Sequence, residues 1–392
     1  MSTYSKVVEV CQKLIQARSY SGEEGQVAKV LEETMKEFGF DRVDVDKYGN
    51  VVGTINGKEE GPVQLYDAHI DTVPVPDETK WSHAPFGGEI EDGKVYGRGT
   101  SDMKGALAAM LVGARNFAQK TDRNFKGTIC VAGVCHEECF EGVAAREISK
   151  NHKPDYVVIG EASHLNLKHG QRGRAEVVIE TFGKPAHSAN PEHGVNAVYQ
   201  MAEVVNAVKL IPPVVDDNLG KGILVLVDII SSPYPGASVV PDYCRTTWDR
   251  RLLVGETKES VLDPVLKSVE ALGKDLPDLN VKVSLSKAEL TCYTGQKIGD
   301  ERFFPGWYYD KNEQFVTSVF DALTQEGFES VLTHYDFCTN GSHYAGEAQI
   351  KTIGFGPSDE FLAHTIDEYI EIEQLDKAVK GYEIIMETLA VL

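Results

Sequence analysis

Positive charge is scarce in this chain. Lysine and arginine number 39 against 60 aspartates and glutamates, giving a formal net charge of -21 at pH 7. A surface of that sign repels nucleic acid and anionic membranes, so neither is expected as a partner. An anionic small substrate stays possible, because local arginines and bound cations reverse the field inside a cleft. Long apolar runs are missing too: no stretch approaches the ~20 residues needed to span a bilayer. The first residues, Met1-Ser2-Thr3-Tyr4, lack the basic-then-apolar character of a secretory signal. The seven cysteines (Cys11, Cys130, Cys135, Cys139, Cys244, Cys292 and Cys338) are odd in number and contain no Cys-x-x-Cys pair. That argues against a disulfide framework and for a reducing, cytoplasmic setting. No internal repeat or low-complexity tract interrupts the 392 residues, a length that suits two domains with a sizeable core.

Apolar spacing predicts amphipathic helices over 4–18 and 23–38, the second capped by Ser21. Strands are expected at 43–45 and 51–55, turned at Lys47-Tyr48-Gly49-Asn50, and at 63–66. Helix 104–119, strand 127–134, helix 141–150 and strand 155–160 then alternate, the pattern of an α/β sheet that is largely parallel in its centre. A second unit reads as strand 175–182, helix 194–210, strands 222–230 and 239–252, helix 257–273 and strand 279–285. That β-α-β-β-α-β order is that of a ferredoxin-like α+β sandwich. The first pattern resumes with helix 312–326, strands 329–333 and 350–355, and helix 371–388. The expected fold is therefore a mixed, largely parallel α/β sheet with helices on both faces, carrying an inserted lid or dimerisation domain. Its boundaries are 1–174 and 288–392 for the catalytic domain and 175–287 for the insert.

Imidazoles and carboxylates fall just after the predicted strands, where open α/β sheets build their sites. They are His69 and Asp71, Glu137-Glu138 and Glu161, joined by Asp102 in Gly97-Arg98-Gly99-Thr100-Ser101-Asp102-Met103-Lys104-Gly105 and by the distant His364. Imidazoles together with a carboxylate able to bridge suit a pair of zinc-like ions, and such a pair activates one water between them. Each residue also has a plainer reading. Asp102 suits a helix cap, Glu137-Glu138 a solvated acidic loop, and Cys135, His136 and Cys139 are read as packing rather than as a thiolate metal site.

Six ordered pieces carry a resemblance: His69-Ile70-Asp71; Trp81…Pro85-Phe86 leading into Gly97–Gly105; Glu137-Glu138; Gly160-Glu161; Ala186-His187-Ser188; and His364…Asp367-Glu368. Together they resemble the dinuclear zinc hydrolases that include acetylornithine deacetylase, succinyl-diaminopimelate desuccinylase, aminoacylase and carboxypeptidase G. The resemblance implies that Asp102 bridges two ions, with His69 and Glu161 on one and Glu138 and His364 on the other. Asp71 would steady the His69 ring, and Glu137 would be the general base and acid. It implies that His187 reaches a neighbouring subunit's site to stabilise an oxyanion, which entails a homodimer through the insert. Arg251 would bind a substrate carboxylate, for which a guanidinium fork is suited.

Two segments depart from the family pattern. Ser238 stands where an asparagine often precedes Val-x-Pro, and Cys338-Thr339-Asn340-Gly341-Ser342 replaces the usual Gly-Gly-Thr-Asp. Asn340 and Gly341 are thus expected to contact substrate, and specificity is the least transferable feature. The Thr-Asn-Gly form and Gly170-Gln171-Arg172-Gly173-Arg174 resemble the selenium-metabolism-linked hydrolase branch. The expected activity is metal-dependent hydrolysis of amide-type C–N bonds in a small peptide or N-substituted amino acid, with two divalent ions, zinc foremost and cobalt or manganese as alternatives. The competing readings are an N-carbamoyl (ureido) acid amidohydrolase and a catalytically silent metal-binding scaffold.

Overall fold

A computed structural model describes residues 5–392. They form two compact units. The first comprises the chain up to Gln171 together with Glu289–Gly299 and Tyr308–Leu392, and the second Arg172–Ala288 with Asp300–Trp307. The return to the first unit is therefore less simple than the expected single boundary near 287. Phe303 and Phe304 pair antiparallel with Ala175 and Arg174, so a short later segment stays with the second unit.

In the first unit, strand Glu59–His69 is flanked by two parallel neighbours, Lys126–Val134 and Tyr156–Ile159. Lys351–Gly354 continues the parallel set beside Tyr156–Ile159. Antiparallel strands Val51–Asn56 and Arg42–Val45 complete one side. The sheet is thus parallel at its centre and mixed at its margins. Its central strands read as continuous apolar runs because both faces are covered. Helix Gly105–Lys120, rich in alanine, is buried along most of its length against helix Ile372–Leu389. Val7, Val8, Val10, Cys11, Leu14 and Ile15 of helix Lys6–Gln16 enter the same core.

One expected cap is absent. Helix Gly25–Glu37 has no side-chain cap bond at its N-terminus. Ser21 instead gives its hydroxyl to Asp71 Oδ2 at 2.7 Å. The stronger acceptor is the buried carboxylate, and it draws the serine away from the helix.

The second unit has an antiparallel sheet in the order Ile223–Ser232, Tyr243–Leu252, Gly173–Phe182, Val281–Leu285. Helices Ala197–Val208 and Lys258–Gly273 place Met201, Val204, Val265 and Val269 in one core with Val177, Ile179 and Trp248. Strand Ile223–Ser232 forms the sheet edge and leaves Val225, Val227, Ile229 and Ile230 about half exposed.

Arg250 and Glu256 form an ion pair in this unit with side chains 8% and 9% exposed, and Glu256 also accepts from Leu253 N. Removing one member of such a pair leaves a buried charge without compensation. Glu256→Ala is expected to cost about 3–5 kcal/mol, measurable by chemical denaturation. Unchanged stability would show that Arg250 finds water or another partner.

Candidate metal centre

The parallel register sets the frame of the site. His69 lies opposite Val134, and Asp67 opposite Ile159, so three strands end nearly level. His69 closes the first, Glu137 and Glu138 follow the second, and Glu161 follows the third. Asp102 arrives from the segment before helix Gly105–Lys120. There Gly99 adopts φ +90, and a Cβ on it would come within 2.9 Å of Thr72. Only glycine makes that turn at low cost. His364 is supplied from the C-terminal part of the chain, itself with a positive φ of 62.

Asp102 lies between two imidazoles. Its Oδ1 is 2.8 Å from His69 Nε2 and its Oδ2 is 3.0 Å from His364 Nε2. Glu161 Oε1 lies 3.6 Å from His69 Nε2, and Glu138 Oε2 lies 3.1 Å from His364 Nε2. Donor atoms of His69, Asp102 and Glu138 all fall within 4.8 Å of one another, as do those of His69, Glu137 and Glu161. The first unit therefore brings together His69, Asp102, Glu137, Glu138, Glu161 and His364. The Cys135 thiol is buried and pushed well above its usual range by that burial; neither it nor His136 belongs to these groups.

Charge balance shows what the cluster needs. Burial, then the charge of Asp102, raises the Glu161 carboxyl to about 8. The same causes raise Glu138. Burial drives Glu137 well above the carboxylate range, with His69 opposing and Glu161, Glu141 and Glu138 adding to it. Burial would raise Asp102 too, but hydrogen bonds from His364 and His69 hold it low. His364 rises to about 10 through Asp102 and Glu138. Glu137 Oε1 is buried without a hydrogen-bond partner. Four carboxylates stand against two imidazoles here, with donor atoms grouped closely enough to hold divalent cations.

The His69 ring is turned so that Nε2 faces Asp102. Its Nδ1 lies 2.9 Å from the Asp71 main-chain oxygen, which only accepts, so Nδ1 carries the proton. In the neutral ring Nε2 is then a lone pair facing the Asp102 carboxylate, stable only with a proton or a metal ion between them.

Asp71 differs from its expected part. Its carboxylate is 3.7 Å from His69 Nδ1. It accepts instead from Glu137 N at 3.0 Å and Glu138 N at 3.3 Å. The ring is steadied by the Asp71 backbone, while the side chain holds the loop that carries the two glutamates. Glu368 does the same for Asp102: it accepts from Gly99 N, Ser101 N and Asp102 N at 3.1, 2.9 and 3.2 Å and pairs with Arg98. The sequence held a signal for Glu368 in the Asp367-Glu368 pair, but nothing local disclosed its donors.

The remaining candidates lie elsewhere or are engaged. His187 sits exposed in a turn of the second unit, its Nδ1 accepting from Ala189 N. Arg251, also in the second unit, pairs with Asp249 Oδ1 at 2.8 Å. Asn340 was expected to meet substrate, yet it is 2% exposed. Its amide is committed at both ends, to Asp67 and to Gly142 N. Gly341 is buried beside it.

The sequence profile of peptidase family M20/M25/M40 matches residues 65–388. The chain belongs to this family. It is a metal-dependent hydrolase of amide-type C–N bonds. It is 33% identical to the Escherichia coli (strain K12) protein YgeY over 356 residues, 89% of this chain and 86% of that one. It is 25% identical to a succinyl-diaminopimelate desuccinylase of Hydrogenovibrio crunogenus over 400 residues, 96% of this chain and 97% of the relative. In fold it is similar to a metallo-carboxypeptidase of Sulfolobus solfataricus, with TM-score 0.79, 16% identity and coverage of 99% and 100%. An aminopeptidase PepT of Bacillus cereus gives TM-score 0.74 at 21% identity, covering 98% of each chain.

Glu368→Ala frees three backbone donors and Arg98, and so unfastens Asp102. Outer partners of this kind are worth roughly 10–100-fold in metal affinity. The expected result is a fall of that size in zinc affinity by competition with a chromophoric chelator; wild-type affinity would show that Asp102 is held without Glu368.

Proposed function

We propose that the chain hydrolyses a small peptide or N-acyl amino acid, using two divalent ions held by His69, Asp102, Glu138, Glu161 and His364. The observation that carries this reading is the position of Asp102, with one carboxylate oxygen turned to each imidazole. The donors are nitrogen and oxygen, which suits zinc and accommodates cobalt or manganese. Bound ions of this kind polarise a scissile carbonyl and acidify water. Residues of the chain do the rest. Asp102 keeps the two donor sets together. The buried, unpartnered Oε1 of Glu137 takes the proton of the attacking water and returns it to the leaving nitrogen, a base and then an acid. Burial raises its proton affinity from that of an ordinary carboxylate, which suits both tasks.

The other parts of the reading concern the second unit and the cellular setting. His187 is assigned as an oxyanion donor delivered from a partner chain, and its exposure leaves its Nε2 free to reach one. The apolar edge strand Ile223–Ser232 supports a homodimer, because an unpaired sheet edge with exposed aliphatic side chains calls for a cover. Arg251 must exchange Asp249 for a substrate carboxylate if it is to anchor one. None of the described cysteines is joined in a disulfide, which supports a reducing, cytoplasmic compartment, and no helix among the described residues is long and apolar enough to cross a membrane. No observation favours the ureido-acid or silent-scaffold readings.

A panel of dipeptides, N-acyl and N-carbamoyl amino acids, each with zinc, cobalt or manganese, tests the reading. Turnover of a peptide or N-acyl substrate is expected; release of ammonia and carbon dioxide from carbamoyl substrates alone would replace it. Glu137→Gln should lower kcat by roughly 10²–10⁴-fold with metal content unchanged, and loss of metal would make Glu137 a ligand instead. His187→Ala should lower kcat by roughly 10²–10³-fold in a folded protein, whereas an unaltered rate would remove its role.

A further inference from the structure

The loop bearing Glu137 and Glu138 is fastened at its start by the Asp71 carboxylate. A second fastening lies at its far end, in a buried network that the proposed reaction does not use. Gly142 N donates to Asn340 Oδ1 at 2.8 Å. Asn340 Nδ2 donates to Asp67 Oδ1 at 2.9 Å, and Tyr344 Oη donates to Asp67 Oδ2 at 2.8 Å. Asp67 and Asn340 are 1% and 2% exposed, and Tyr344 is fully buried. Asp67 stands two residues before His69 on one strand, so both side chains leave the same face. Asn340 thus spans the strand that ends in His69 and the loop that carries the two glutamates. Its own backbone is tied down, since its carbonyl oxygen accepts from His343 N at 3.0 Å and Tyr344 N at 3.3 Å. Gly142 has φ +87, and a Cβ there would lie 2.8 Å from His343 Cβ, so the loop can approach this closely only at a glycine.

We propose that Asn340, held by Asp67 and Tyr344, is a positioning residue that sets the separation between His69 and the Glu137-Glu138 pair, and is not a contact to substrate. This rests on reading the cluster as a metal centre. The network has one donor-to-acceptor polarity, running from Gly142 N to Asn340 and from Asn340 to Asp67. Asn340→Asp sets two carboxylates face to face where a hydrogen bond had been. Adding Asp67→Asn reverses the central bond and leaves all three intact. The amide introduced at position 67 donates to the carboxylate introduced at position 340. That carboxylate still accepts from Gly142 N, and Tyr344 donates to the amide oxygen at position 67.

Cobalt chloride alone is the probe. Titration followed by visible absorption should show Asn340→Asp binding cobalt tenfold or more weakly than wild type, with an altered d–d band. On any substrate found, kcat should fall with KM little changed. The double exchange should bring affinity, band and kcat back to within a few-fold of wild type, with thermal unfolding of each protein verifying the fold. A single variant that binds and turns over like wild type overturns the proposal. So does a double variant as impaired as the single one, or a double variant that does not fold. A raised KM with kcat unchanged would return Asn340 to the substrate pocket. Wild type that binds cobalt but turns over no substrate would defeat the proposed reaction while leaving this test in force.

Discussion

The placement of the Asp102 carboxylate is the constraint to which the rest of the first unit answers. Two imidazoles converge on it from opposite ends of the sequence. Around it lie further glutamates whose acidity burial has weakened. A buried set of like charges costs several kcal/mol per uncompensated ion. A fold that assembles one therefore reserves the site for cations. An apolar core that includes helix Lys6–Gln16 and helix Ile372–Leu389 fills the same unit.

A second tier of buried polar groups keeps those donors in place. Glu368 gathers the backbone before Asp102, Asp71 gathers the backbone of the two glutamates, and Asn340 joins the far end of their loop to the strand of His69. None needs to touch a substrate. Each converts a flexible loop into a fixed ligand by satisfying backbone donors that would otherwise be orphaned in the interior. The half-exposed His364 completes the set.

The sheet's parallel centre, the β-α-β-β-α-β order of the second unit, and the residues now found around Asp102 were all legible in the sequence. Strand periodicity carries the fold locally, and placement after strands marked His69, Glu137, Glu138 and Glu161; the roles of these residues, and of Asp102 and His364, were what the family resemblance implied. Other features were not legible. Ser21 has the sequence of a cap but serves Asp71. Asp71 meets the His69 ring through its main-chain oxygen, while its carboxylate serves the amides of Glu137 and Glu138. Residues 300–307 lie past the apparent end of the insert, yet a strand pairing across more than a hundred residues keeps Phe303 and Phe304 with it.

The sequence by itself determined which residue types are present and which strand ends carry them, since alternation of buried runs and helices is written into neighbouring positions. Only the tertiary structure decided how the polar atoms are paired. Asn340 and Asp67 are separated by most of the chain, and their hydrogen bond depends on a separation measured in tenths of an ångström. Chain neighbours carry no record of that distance; it is set by packing alone.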